Sequence, residues 1–352
     1  MYISFVHHYV PKFFGIAAFV VNPIFVFLIF TDKKSQMGNY KYLLLCFACF
    51  NIIYSLADIF IPIGAHGYGK SFEVFISDGY FEEASSFNQY LVSLRCALIS
   101  CSYAILVIHF LYRYLIIFKF KWMNKNFHWF ILLLFVFLAV HYIVWVEVCD
   151  ISFRGELQNR MYIRDDFFKS YGTDVLNITI IFAMYGGVEP EIIHRTYIGI
   201  GLLVFISSYS VTLYIILGYK ITKELNKNDF QMSQNTAKLQ KLLLKALAVQ
   251  TVIPIFVSFV PCFIGWFSPV LGLELGSKMN YLVCIALAAF PFLDPIAIIV
   301  FLPALRGRLT ITSIRNEFFR RNRVDYAVDD NTDNADNASV APQNHELSQT
   351  TE

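Results

Sequence analysis

Charge is scarce in this chain. Only 15% of its 352 residues are Asp, Glu, Lys or Arg, against 57% hydrophobic residues that include 36 Phe and 21 Tyr. So little charge cannot coat a water-facing surface, which excludes an ordinary soluble domain and makes lipid the main solvent. The marks of catalysis are missing too. The eight His form no pair at metal-ligand spacing, and there is no glycine-rich phosphate loop or nucleophile elbow, so we expect no enzyme, no metal and no cofactor. The net charge of +2 carries no nucleic-acid signal. Cysteine supplies no legible disulfide framework. Cys46, Cys49, Cys96, Cys101, Cys262 and Cys284 fall inside apolar runs as small apolar residues, and only Cys149 lies outside them, with Cys96 and Cys262 as alternative partners. No internal repeat is apparent, which counts against inverted-repeat transporters. A cleavable signal peptide is not expected either: the first apolar run is too long, lacks a basic start, and ends at Lys33-Lys34 like a signal anchor.

What the chain has is apolar length. A bilayer core about 30 Å thick needs about 20 mostly apolar helical residues. Six runs satisfy this plainly: 13–30, 42–63, 129–146, 197–219, 246–267 and 281–302. A seventh, 90–118, is interrupted by Arg95 and Arg113. Those two lie about 27 Å apart along a helix, so each guanidinium is expected to snorkel to its own interface. The fold class is therefore an all-α integral membrane bundle of seven transmembrane helices. Orientation follows from the basic residues. The loops after spans 1, 3, 5 and 7, with the adjoining helix ends, hold 19 of the 28 Lys and Arg, and the opposite side holds 8, five of them in one long loop. The positive-inside bias places the N-terminus outside.

Two outer loops, 64–89 and 147–196, are too long for plain connections and are expected to be functional or independently folded. The receptor-like domain is expected to run from 1 to 323. Within it, 305–323 mixes apolar and basic residues as a short interfacial helix would. The remainder, 324–352, carries Asp325, Asp329, Asp330, Asp333 and Asp336 with few apolar residues, and is expected to be a disordered cytoplasmic tail.

Seven helices with an outer N-terminus is the architecture of the G-protein-coupled receptors, and particular residues narrow it. They are Val21-Asn22-Pro23-Ile24-Phe25 in span 1, Met37-Gly38-Asn39-Tyr40-Lys41-Tyr42-Leu43 entering span 2, and Ile61-Pro62 with His66-Gly67-Tyr68 leaving it. Further blocks are Phe72 to Phe75, Asp78-Gly79, Leu94-Arg95-Cys96, Ser102-Tyr103, His109-Phe110-Leu111-Tyr112-Arg113-Tyr114 and Pro291-Phe292-Leu293-Asp294-Pro295. In this order and spacing, over residues 1–320, the chain resembles the nematode serpentine chemoreceptors of the Str superfamily, most closely the Srj family. The resemblance implies a receptor in the ciliary plasma membrane of a chemosensory neuron, with a small-molecule odorant as ligand and a heterotrimeric G protein as partner.

Within that frame, Arg113 in Tyr112-Arg113-Tyr114 resembles the Asp-Arg-Tyr group of rhodopsin-like receptors, whose arginine meets the G protein; the alternative is a topology anchor. Tyr112 replaces the acid, and 239–245 carries no carboxylate, so an arginine latch would lack both of its usual partners. Lys238, Lys241 and Lys245 share one helix face that would complement an acidic partner or anionic headgroups, besides signalling topology. Asp294-Pro295 resembles the Asn-Pro of rhodopsin-like receptors. A carboxyl at membrane depth is costly unless paired, and Asn22 and Asp58 are its expected partners in a switch cluster; Asp58 alternatively lies too near the outer end to reach.

Ligand candidates come from the outer halves of the spans: Arg95, Cys96, Ser100 and Tyr103; His141 and Trp145; Phe205 and Tyr209; Phe259, Cys262 and Trp266. Lipid-facing packing competes for each of them. Pro254 and Pro261 are expected to open span 6 into a cavity suited to a weakly polar ligand. A peptide ligand stays open because the outer loops are large. A ligand-gated channel or a small-solute transporter would be the competing classes; Asp58, Asp294, His109 and His141 give the latter little to work with.

Orientation is directly testable. Asn177-Ile178-Thr179 and Asn337-Ala338-Ser339 both fit N-glycosylation acceptors, but only a lumenal one is used. Asn177→Gln is expected to abolish an endoglycosidase-sensitive gel shift that Asn337→Gln leaves intact; the reverse pattern would overturn the orientation.

Overall fold

The computed structural model describes residues 5–31, 38–227, 234–273 and 277–306. Seven of its helices are long and apolar enough to cross a membrane. The first is α1 (Phe5–Phe30) and the second α2 (Tyr40–Phe60). The third, α3 (Ser86–Phe118), leads through a short α4 (Phe120–Lys125) into the fourth, α5 (Phe127–Ser152). After α6 (Leu157–Tyr171) comes the fifth, α7 (Pro190–Leu225). The sixth runs as α8 (Gln234–Pro254), a π-helical segment over Ile255–Phe259, and α9 (Val260–Phe267). The seventh is α10 (Ser277–Phe301). Pro303–Arg306 forms a helical turn, α11, in a separate unit. The expected interfacial helix and tail, from 307 on, lie outside the described residues.

Helix ends follow local chemistry. Ser85 caps α3 by accepting a hydrogen bond from the Asn88 amide at 3.0 Å, and Pro190 opens α7, where a missing N–H costs nothing. The π-helical segment lies between Pro254 and Pro261, whose absent amide hydrogens leave the regular ladder incomplete. The third span is the most enclosed, with 89% of its most apolar window buried, against 28% for the fourth. α3 is thus the axis around which the others pack, while α5 turns Leu133, Val136, Val140 and Ile143 outward.

The long connections fold into a sheet, which an all-α reading does not anticipate. β1 (Ile63–Tyr68), β2 (Ser71–Ile76) and β3 (Ile180–Met184) pair antiparallel in that order, so the loop after α2 and the loop before α7 become one structure. Gly69 supplies the positive φ of 55° at the tight β1–β2 turn. Strand alternation divides the faces: Ala65, Phe72, Ile181 and Ala183 pack into the helix bundle, whereas Phe75, Ile180, Phe182 and Met184 pack on Ile163, Phe167 and Tyr171 of α6. Arg160 of α6 staples the loop by donating to the carbonyls of Gly155, Val175 and Ile178 at 2.8, 2.6 and 2.7 Å.

Two titratable residues are paired in register on the α6 face of the sheet, His66 and Glu73. His66 Nε2 lies 3.2 Å from Asp166 Oδ2, and Glu73 is fully buried with no hydrogen-bond partner for either oxygen. Burial pushes the Glu73 carboxyl well above its ordinary 4.5 and holds His66 below its ordinary 6.5, with Asp166 opposing the latter. A raised carboxyl favours the folded sheet below about pH 4.5 and withdraws that support as pH climbs through the raised value; a depressed His66 favours it above about pH 6.5 and withdraws support on acidification. Hydrogen exchange over 71–76 and 163–171, corrected for intrinsic rate, is therefore expected to speed up at both pH extremes, and Glu73→Gln should abolish only the alkaline rise.

Candidate functional site

A cavity sits where the sheet meets the helix bundle. Its walls are almost wholly apolar: Ile63, Ala65, Phe72 and Val74 from the β1–β2 hairpin, Ile181 and Ala183 from β3, and Trp145, Ile200, Leu203, Trp266 and Leu287 from the spans. Four thiols, Cys96, Cys149, Cys262 and Cys284, complete the lining, and all seven cysteines are unbonded. The space open to water-molecule centres is about 60 Å³, room for about four to six waters. It therefore suits a ligand of small size. Gly265 of α9 meets the ring of Phe72 so closely that a Cβ there would approach it to 2.8 Å, which makes the sheet and the sixth span direct neighbours.

Arg95 of α3 and Asp58 of α2 form a buried ion pair, with Tyr54's ring 4.3 Å from the guanidinium carbon. Arg95's side chain is 0% exposed. It does not snorkel, because Asp58 and the Tyr54 face supply inside the bundle what an interface would otherwise supply. Asp58 is accordingly absent from the expected switch cluster; two turns beyond Asn51 on α2, it is held by Arg95.

The cluster around Asp294 has other members. Gln250 Nε2 donates to Asp294 Oδ1 at 3.0 Å, and Asn51 Nδ2 reaches Asp294 Oδ2 at 3.4 Å and Asn22 Oδ1 at 3.2 Å. Asn22 Nδ2 donates to the Pro291 carbonyl at 3.1 Å. That carbonyl would ordinarily bond the amide four residues on, but Pro295 has none, so Asn22 repairs the ladder from another span. All four polar side chains are buried, and they join spans 1, 2, 6 and 7.

At the end of α3 remote from the sheet, Arg113 is 2% exposed. Its Nη1 donates to Gln240 Oε1 of α8 at 2.9 Å, and its guanidinium lies 3.6 Å from the centre of the Tyr40 ring. Tyr40 in turn stacks on Tyr112 and hydrogen-bonds His109 Nδ1 at 3.0 Å. Nε and Nη2 of Arg113 find no partner among the described residues. A neutral amide and an aromatic face thus stand where a carboxylate latch is missing. Tyr114 is half-buried, and Lys238, Lys241 and Lys245 are exposed on α8, the last two bordering a groove with Thr222, Leu225 and Asn226.

Of the expected ligand residues, Cys96, Trp145, Cys262 and Trp266 line the cavity. Tyr103 and Phe259 pack against the same core, and Tyr103 hydrogen-bonds Ser258 of the π-helical segment at 3.4 Å. Ser100, His141 and Tyr209 form a separate hydrogen-bonded chain across α3, α5 and α7. Phe205 is 68% exposed and faces away from the bundle. Asn177, by contrast, is exposed beside the sheet. Residue-by-residue reading missed the sheet's contribution to the cavity, and also Tyr40, Asn51, Gln240 and Gln250. The clean alternation of Ser71–Ile76 was an available strand signal; the polar residues inside apolar runs, Asn51 and Gln250, were an available pairing signal.

Known proteins are similar to this chain over most of its length. Residues 1–309 match the family model described as serpentine type 7TM GPCR chemoreceptor Srj. Serpentine receptor class J-38 of Caenorhabditis elegans is 35% identical over 87% of this chain and 93% of its own length. From the same organism, serpentine receptor class r-10 is 24% identical over 82% and 85%, and G-protein coupled receptor str-33 is 23% identical over 86% and 89%.

The Asp294 cluster predicts a graded response in the purified protein. Asp294→Asn keeps shape and hydrogen bonding, whereas Asp294→Leu strands the Gln250 and Asn51 amides, an expected cost of about 1–3 kcal/mol per group left unpaired. Thermal unfolding in detergent should rank parent and Asp294→Asn together and Asp294→Leu well below. A double-mutant cycle between Asp294→Asn and Gln250→Ala should be non-additive, while one with Asp58→Asn should add.

Proposed function

The chain belongs to the Srj family of serpentine seven-transmembrane GPCR chemoreceptors, and on that footing we propose that it detects a small-molecule odorant in the sheet-walled cavity and activates a heterotrimeric G protein at the Arg113 end. It is an integral membrane protein with seven spans and a receptor, not an enzyme. The single observation that carries the ligand reading is the cavity itself: small, apolar, and walled on one side by strands that leave little room for a peptide. In this reading the N-terminus and sheet face outside, Asn177 carries glycan, and the receptor works in the ciliary plasma membrane of a chemosensory neuron.

The sixth span provides the route between the two ends. It contributes Cys262 and Trp266 to the cavity, Ser258 to the Tyr103 contact, Gln250 to Asp294 and Gln240 to Arg113. A ligand that moves α9 against the sheet acts on one continuous element, and the π-helical segment between its prolines is where that element yields. Releasing Gln240 frees Arg113 for the G protein, with Lys241 and Lys245 offering charge to an acidic partner surface. Channel and transporter readings draw no comparable support, since the buried carboxylates Asp58 and Asp294 each already have partners.

Expression with a calcium reporter and a screen of volatile and water-soluble compounds tests the reading; surface-delivered receptor that never responds to any small molecule, yet responds to a peptide, would overturn it. Arg113→Lys keeps the charge but loses the planar fork. At matched surface expression it is expected to lose most ligand-evoked signalling, and full signalling would return Arg113 to a topology anchor. Gln240→Ala should raise ligand-free activity, because it removes the amide that restrains Arg113.

A further inference from the structure

In one part of the cavity wall a side chain lies against bare backbone. Phe72 of β2 lines the cavity, and the three atoms nearest to a Cβ placed on Gly265 of α9 all belong to the Phe72 ring, at 2.8, 2.9 and 3.4 Å. Ordinary carbon contact lies at about 3.5–4.0 Å, so only glycine at this position leaves the ring where it stands. Other close glycines in the fold are of a different kind. A Cβ on Gly199 of α7 would meet Cβ of Ser152 at 2.4 Å, where α7 approaches the end of α5; Gly265 instead makes room for a side chain that borders the cavity. Neither backbone beside the ring is free to retreat. β2 is the central strand, with Phe72 paired to Gly67 on one side and to Ala183 on the other. α9 is tied to the same sheet one residue further on, because Tyr185, just past β3, donates from its hydroxyl to the Trp266 carbonyl at 2.6 Å. In such close-packed surroundings the ring gives way before either backbone does, and the free space it borders is the cavity.

We propose that Phe72 and Gly265 together set the size limit of the ligand, a short-chain apolar or weakly polar molecule: the ring occupies part of the space, and Gly265 fixes how far it stands back. This rests on reading the cavity as the ligand site. Cys262 and Trp266, one turn before Gly265 and one residue after it, line the same cavity, so the glycine stands among the residues that a ligand meets. A methyl group on residue 265 pushes the ring into the cavity and reduces the room; a smaller side chain at 72 enlarges it. One methylene more or less in a hydrophobic pocket changes affinity about ten-fold or more. A small displacement of the ring is therefore enough to exchange one homologue for the next.

Trp145 and Trp266 line the cavity, so tryptophan fluorescence of the purified receptor reports binding. The probes are the straight-chain alcohols from ethanol to 1-octanol, and each variant is compared with the parent in the same detergent, which cancels partition into the micelle. For the parent, affinity is expected to rise about four-fold with each methylene and to fall beyond the longest homologue that the cavity holds. Gly265→Ala is expected to move that maximum to a shorter alcohol, costing the parent's best homologue about ten-fold and ethanol almost nothing. Phe72→Leu is expected to move it to a longer one, and in that background Gly265→Ala should no longer shift it, because the ring it displaces is gone. A contact that served only packing would weaken all homologues alike and leave the maximum in place. That result, or a Gly265→Ala shift that persists with Phe72→Leu, overturns the size-limit assignment and leaves the cavity standing. Failure of every alcohol to bind the parent, or full binding by Cys262→Phe, which fills the cavity, overturns the cavity reading and the proposal with it. Should Gly265→Ala not fold, Phe72→Leu decides alone: an unchanged maximum overturns the assignment.

Discussion

α3 carries two arginines into a largely apolar interior, and the rest of the bundle is arranged to meet that demand. Each guanidinium is answered twice, by a hydrogen-bonding side chain and by an aromatic face: Asp58 with Tyr54 near the sheet, Gln240 with Tyr40 at the far end. Both aromatic faces come from α2, so the two arginines clamp α2 to α3 at both ends. A cation on an aromatic face retains part of the attraction that water would have offered, which is how a charge stays buried without an excess of carboxylates. The two answers differ in kind. A carboxylate binds an arginine firmly; an amide binds it more weakly and carries no charge, which leaves Arg113 the more easily released of the two.

The sixth span inherits the consequences. Its two prolines remove ladder bonds, the π-helical segment between them absorbs the distortion, and its polar side chains are spaced so that each depth of the bundle receives one: Ser258, Gln250, Gln240. Hydrogen bonds across apolar spans are directional, and a small rotation of this helix alters all three contacts at once. Asn22 illustrates the complementary economy on span 1, where one amide repairs the Pro295 gap in α10 and accepts from Asn51 as well. The long connections do for the cavity what the spans do for the arginines. Two loops far apart in sequence pair into a sheet, and the alternation of their side chains gives one face to the cavity and the other to α6.

Much of this was legible in the sequence because membrane insertion imposes local rules. Apolar length fixed the number of spans, ordered motifs fixed the family, and prolines marked where helices 6 and 7 would need help. Cys96, Trp145, Cys262 and Trp266, grouped by depth along their spans, come together in the lining of one cavity. Depth fails where partner choice matters. Asp58 and Asn51 stand seven residues apart on the same helix, and nothing local says that one meets Arg95 and the other Asp294; only the packing of α2 against α3 and α10 decides it. Phe205 and Leu203 are two residues apart on α7, yet one faces outward and the other the cavity, a matter of helix rotation that a uniformly apolar run does not encode.

The sequence by itself determined that this chain crosses a membrane seven times and that its polar residues within the spans must be matched, because the cost of an unpaired group in hydrocarbon follows from residue type and position. The tertiary structure decided which group matches which. Arg95 turned inward to Asp58 instead of outward to the interface, loops joined as a sheet, and a cavity walled by strands and spans came into being. Those outcomes depend on distances between residues remote in the chain, set by how helices rotate and cross, and no local pattern carries them.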